Sequence, residues 1–284
     1  IQHATRKISD LAVEYEKPVG LGISDRYVVG FFLGAEKVGI YSAAYNIGII
    51  PLVFSTYLIY VLGPTAYDLF DKGKIDKVKM YLSYSWKYLL MVTIPSAFGL
   101  SILARPLLMT LTTSKVVSDG IYIIILVSFG IVFWGMEQIF GVSILLFKRR
   151  RVFVIAFVVA AVVNLILNFI LIPYWGVIAA AATTLIAYLV LVSIIGFSAR
   201  HYYFKFNLNL GFIMKSIISS LVMTLCLWVF NPVDKISLIL STILGIFVYF
   251  GMLLLQRGLK KEEVRLIFET LGLHSIASKL FVQK

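Results

Sequence analysis

The sequence predicts an all-α polytopic membrane protein with about eight transmembrane helices. Three observations carry this: an excess of apolar residues, their grouping into long runs, and the placement of lysine and arginine between the runs. Of the 284 residues, 60% are hydrophobic and 14% charged, and mean hydropathy is +0.95. A soluble domain is about 45–50% apolar and about 25% charged. So much apolar surface cannot be hidden in the chain's own core, and the surplus must face lipid. Spanning a bilayer takes roughly 20 apolar residues. Runs of that kind fall at 40–63, 82–104, 120–147, 152–173, 177–199, 212–230 and 236–256. A shorter and weaker run, 18–34, carries Asp25 and Arg26 in its middle.

The connectors predict orientation. On the N-terminal side and in every second connector lie 19 of the 26 lysines and arginines, against 4 on the opposite side and 3 within the runs. Cytoplasmic loops carry the excess of positive charge, so both termini are expected in the cytoplasm and the protein in the cytoplasmic membrane. The net charge of +12 then marks topology and attraction to anionic lipid head groups. A nucleic-acid surface is not expected. The tail, 259–284, places Val264, Ile267, Phe268, Leu271 and Leu280 near helical spacing among basic residues, which suits a helix lying on the membrane surface. A solvated, fraying terminus is the plainer reading of the same stretch. Segments 1–15 and 66–81 suggest shorter amphipathic helices. The chain opens on Ile1 without a secretory signal, as expected of a fragment or processed piece of a longer protein.

Enzymatic signatures are absent from the sequence. Cys226 is the sole cysteine, so no intrachain disulfide or thiolate cluster is available. There is no Walker A loop, no HExxH and no GxSxG elbow. His3, His201 and His274 are scattered. The connectors expected outside, 34–39, 105–119, 174–176 and 231–235, are short. The profile is that of a transporter and not an enzyme, with no cofactor beyond proton or Na⁺ coupling.

Buried polar residues are then the candidates for function, because charge inside a span is expensive. Asp25 and Arg26 point about 100° apart on a helix. Either one faces a polar cavity, or 18–34 is not a full span and the pair sits at an interface. Glu137 and Gln138 lie deep in 120–147, where a carboxyl would carry a proton, hold a cation or lock to a buried donor. Asn46, in the 40–63 run, joins the cavity candidates. Lys87 and Lys215 lie near predicted cytoplasmic ends and read most simply as snorkelling lysines. Lys148–Arg151 is an orientation signal that can also meet phosphate. Asn164 and Asn168 share one helix face. They either line a hydrated cavity or act as interhelical glue, and glue is the favoured reading. Pro173 is expected to end that helix at the outer surface, and Gly176 to permit a tight reversal. Ala179–Ala182 with Thr183 and Thr184 then form a small face for close packing.

Two stretches carry a family likeness. NLILNFILIPYWGVIAAAATT, and DRYVVGFFLGAEKVGIYSAAYNIG at residues 25–48, resemble motifs of the polysaccharide-transport (O-antigen) flippases of the multidrug/oligosaccharidyl-lipid/polysaccharide exporter superfamily. The matching positions in the second are Asp25, Arg26, Gly34, Val38, Gly39, Tyr41, Ala44 and Ile47. The resemblance implies two six-helix lobes around a central cavity that opens alternately to each side. Residues 1–199 would be the second lobe, 200–258 two additional transmembrane helices and 259–284 the cytoplasmic tail, with the first lobe missing. It implies flipping of an undecaprenyl- or dolichyl-type pyrophosphate-linked oligosaccharide for surface-polysaccharide assembly. Arg26, then Lys87 and Lys215, would meet the pyrophosphate, and Asp25 or Glu137 would couple to protons or Na⁺. A glycan polymerase and glycosyltransferases would be the neighbouring partners, besides the membrane lipids. The rival readings are a multidrug or cation antiporter of the same superfamily and a non-transporting component of a glycan-assembly complex.

Overall fold

A computed structural model describes residues 19–259 except Val233. The chain is an all-α polytopic membrane protein. Its helices are α1 (Val19–Gly48), α2 (Leu52–Asp71), α3 (Ile75–Leu111), α4 (Ser114–Leu146), α5 (Arg150–Trp175), α6 (Val177–Ser198), α7 (Leu210–Phe230) and α8 (Lys235–Leu255), with a π-helical turn at Ala199–Tyr203. Six of these, α3 to α8, are each long and apolar enough to cross a membrane, and α1 with α2 passes the same test of length and composition only as a pair bent by 52°.

The helical assignment of α1 hides a reversal. Gly34 has φ 81° and ψ 174°, outside helical geometry. In a continuous helix residues 16 apart lie about 24 Å apart, yet the Tyr41 hydroxyl reaches the Asp25 carboxylate at 2.9 Å. Residues 19–33 and 35–48 are therefore two antiparallel arms, and Val38 packs on Gly30. A residue with a Cβ resists this φ, so glycine is the residue that permits the turn. Among the described residues the chain thus folds as eight rods, in line with the eight hydropathy runs, the second being residues 35–71 with its break at 49–51.

Reversals alternate between two ends. At one end Lys37 pairs with Asp119 at 2.8 Å and Lys115 with Glu36 at 3.2 Å, tying the Gly34 turn to the α3–α4 turn. The second pair is exposed and the first only part-buried, and surface pairs of this kind contribute about 1 kcal/mol or less each. At the basic end, Phe70, Phe147, Tyr203 and Phe204 pack ring on ring with centroids 5.1–6.1 Å apart, joining three turns. Among the described residues, the turns carrying Lys72–Lys74, Lys148–Arg151 and Arg200–Lys205 all lie at this end, as the alternating charge pattern requires.

Helix α4 is the central rod, packed against α1, α2, α3 and α6. Small residues let neighbours approach it: Gly130 meets Tyr188, and Gly135 meets Leu89 and Ser55. Helices α7 and α8 form a pair attached mainly to α3, around Met91, Leu103, Met223, Leu227 and Tyr249.

Three expectations need correcting. Residues 66–81 are not a separate amphipathic helix: they are the ends of α2 and α3 joined by a three-residue turn at 72–74. Pro173 does not end α5. The helix continues to Trp175, because a proline in the last turn removes only one hydrogen bond. The stop is Gly176, with φ 62°. The connector expected at 105–119 shrinks to Thr112–Thr113, since α3 and α4 extend beyond their apolar cores. The segment 1–15, His3, His274 and the tail helix expected in 259–284 lie outside the described residues, save Leu259.

Candidate functional site

The two stretches singled out in the sequence meet in space. Asp25 projects from the first arm of α1 and is fully buried. Helix α5 supplies Asn164 and Asn168, also fully buried, one turn apart on the face toward α1 and α6. Helix α6 supplies Thr183 and Thr184 from its small-residue face. The Asn168 amide nitrogen donates to Asp25 Oδ1 at 2.7 Å and contacts Asn164 Oδ1 at 3.1 Å. The Thr184 hydroxyl and the Tyr41 hydroxyl both donate to Asp25 Oδ2. Thr183 Oγ1 lies 2.5 Å from Asn168 Oδ1 and 2.9 Å from the Ala180 carbonyl. One carboxyl group therefore gathers donors from three rods.

Among the described residues no cationic side chain pairs with this cluster. Arg26, next in sequence, turns away, and its guanidinium lies 5.6 Å from the centre of the Tyr45 ring. Its Nε is buried and without a hydrogen-bond partner, and no described carboxylate forms an ion pair with it. Tyr45 in turn is hydrogen-bonded to Tyr188 on α6. The carboxyl of Asp25 thus meets neutral hydroxyls and amides only. A buried charge so placed lacks compensation.

The other candidates are dispersed. Glu137 is buried on α4, beside Gly141 and Phe153, with no hydrogen bond or ion pair to a described residue. Gln138 Oε1 is buried and unpartnered too. Asn46 is exposed, one position beyond Tyr45. Lys87 does not snorkel: it is 5% exposed, with its ammonium 5.0 Å from the Phe212 ring centre under the start of α7. Lys215 donates to the Arg257 carbonyl at 3.2 Å at the basic end. The Asp25 cluster therefore brings together three of the nine residues singled out, Asp25, Asn164 and Asn168, with Arg26 and Asn46 near its edge.

Sequence reasoning missed Tyr41, Tyr45 and Tyr188 as polar partners and read Thr183 and Thr184 only as small residues. A signal existed for the threonines: adjacent hydroxyls in an oily helix need acceptors. The tyrosines become visible only once the Gly34 reversal is known.

No protein-family model matches the chain. Two curated relatives are similar to it, both from Haloferax volcanii. One is the probable flippase AglR, 28% identical over 258 residues, covering 87% of this chain and 53% of that protein. The other is the probable low-salt glycan biosynthesis flippase Agl15, 25% identical over 233 residues, covering 81% and 48%. Among solved structures, the lipid II flippase MurJ in an inward closed conformation superposes with a TM-score of 0.69 at 22% identity, covering 87% of this chain and 50% of that one. The chain spans about half the length of each. It is an integral membrane protein whose fold is shared with half of a flippase chain.

Proposed function

We propose that this chain forms one lobe of a flippase that moves a polyprenyl-pyrophosphate-linked oligosaccharide across the cytoplasmic membrane by alternating access. The observation that carries the reading is the pairing of a buried, uncompensated Asp25 with an adjacent unpaired Arg26. Each suits a separate task. Arg26, free of any described carboxylate and partly exposed, offers a guanidinium to a phosphate group. Asp25, closed in by neutral donors, suits a group that takes up a proton or Na⁺. Compensation of Asp25 favours the seating of α1 on α5 and α6; its loss leaves a buried charge and weakens that contact. Coupling and substrate contact would then be linked through α1, which carries both residues. By similarity with the flippases above, a second lobe would complete the cavity.

The test is translocation of a labelled lipid-linked oligosaccharide by the full-length protein in proteoliposomes. The wild type is expected to flip it with a dependence on pH or Na⁺. D25N is expected to lose that dependence, and R26Q to lose translocation. Failure to flip the lipid, combined with extrusion of organic cations, would turn the assignment to an antiporter.

A further inference from the structure

The rods differ in what they show to their surroundings. The outward face of α5 is Val154, Val158, Val162, Leu165 and Phe169, and that of α8 is Ile239, Ile243 and Phe247, as expected of lipid contact. Polar residues on such faces bond back to their own helix: Ser193 to the Leu189 carbonyl and Thr242 to the Leu238 carbonyl. The second rod is different. Asn46, Ile50, Val53, Tyr57, Tyr60 and Pro64 follow one another at three- or four-residue intervals, all exposed, which makes one stripe running through the break at 49–51. Tyr57 and Tyr60 are 69% and 58% exposed. Neither their hydroxyls nor the Asn46 amide has a hydrogen-bond partner among the described residues, and the two phenols cannot reach their own backbone as serine or threonine does.

Depth makes this stripe unusual. Gly48 abuts Val127, close to the middle of the 33-residue α4, and Ser55 abuts Gly135. Asn46 and Tyr57, each two residues from these contacts, therefore lie at mid-membrane depth. By contrast, Tyr174, Trp175 and Tyr202 sit at rod ends, where an interfacial aromatic belt is expected. An unpaired amide and a phenol within the apolar depth are not lipid-facing groups; Tyr60 lies a turn further toward the basic end. The amide and phenol look into a polar space, at whose edge Arg26 lies over Tyr45. Continued at the same spacing past Pro64, the stripe meets Asp68 and Asp71 at its basic end, where Asp68 pairs with Lys72.

We propose that this stripe is the glycan-contacting wall of the transport path: Tyr57 and Tyr60 stack on sugar rings, Asn46 hydrogen-bonds their hydroxyls, and Arg26 meets the adjoining phosphate. The chemistry matches on each count. Sugars offer apolar C–H faces to flat rings and hydroxyls to an amide, and the guanidinium of Arg26 suits an anionic headgroup. This deepens the flippase reading and rests on it.

The test measures binding of two probes to the full-length protein in nanodiscs: polyprenyl pyrophosphate, and the same lipid carrying an oligosaccharide. Y57L/Y60L is expected to weaken binding of the glycan-bearing lipid about tenfold and that of the bare lipid less than about twofold. Y57F/Y60F, which keeps the rings, is expected to bind both within about twofold of wild type. Equal weakening for both probes, or a loss of thermal stability with both, would assign the stripe to phosphate contact or to packing against the second lobe, and overturn the proposal. So would unchanged binding by Y57L/Y60L, or a loss in Y57F/Y60F as large as in the leucine pair. A wild type that binds neither lipid overturns the flippase reading and the wall together; a wild type that binds both leaves the variants to decide the wall alone.

Discussion

Asp25 and Glu137 are both buried carboxyls inside apolar rods, and they are held in opposite ways. Asp25 receives hydrogen bonds from Tyr41, Asn168 and Thr184, so three rods depend on it. Glu137 sits among Gly141 and Phe153 with no described partner, so nothing depends on its carboxyl. Burial alone therefore does not measure how much a polar residue organises its surroundings. The partners do, because a donor abandoned in an apolar core loses both its water and its acceptor.

The contrast can be broken by substitution, with thermal unfolding of the purified protein in detergent as the measure. D25L strands three donors at once and is expected to have the largest effect, about 3–5 kcal/mol of destabilisation. D25N keeps the shape and one acceptor oxygen but puts an NH2 donor where the other oxygen accepts, and should cost less than D25L. A D25N chain as unstable as D25L would mean that the junction needs both carboxylate oxygens as acceptors. N168A removes the central amide and is expected to cost about 1–3 kcal/mol, more than N164A, whose contacts to Thr183 and Thr184 are long at 3.5 Å. G34A forces a Cβ into a left-handed turn that has open space around it, at about 1–2 kcal/mol. E137L is expected to be the mildest, within about 1 kcal/mol of wild type or slightly stabilising, because no partner is stranded. A loss from E137L as large as that from N168A would erase the distinction between the two carboxyls.

Much of the fold was legible in the sequence, for a simple reason. Crossing a bilayer is a one-dimensional constraint, so apolar run length and lysine placement locate rods and turns without knowledge of packing. Gly176 was readable because a glycine between two apolar runs has few other uses. The site was half legible. Asn164 and Asn168 announced themselves as amides that need partners, and the favoured glue reading agrees with their contacts to Thr183 and Thr184. Their chief acceptor, Asp25, is 143 positions from Asn168, and no periodicity reaches that far. Lys87 shows the limit from the other side. Its nearness to a helix end suggested snorkelling, but the start of α7 covers it, and that docking is a tertiary event.

The break at 49–51 divides one crossing into two stiff pieces. The upper piece is fastened by Tyr41 to the Asp25 carboxyl. The lower piece, α2, is 20 residues, about 30 Å long. A change of ten degrees at the break would swing its far end, at Asp71, through about 5 Å. Such a change would link the junction at Asp25 to the opposite end of the rod through three residues, Ile49, Ile50 and Pro51, and the stripe bearing Tyr57 and Tyr60 would move with α2.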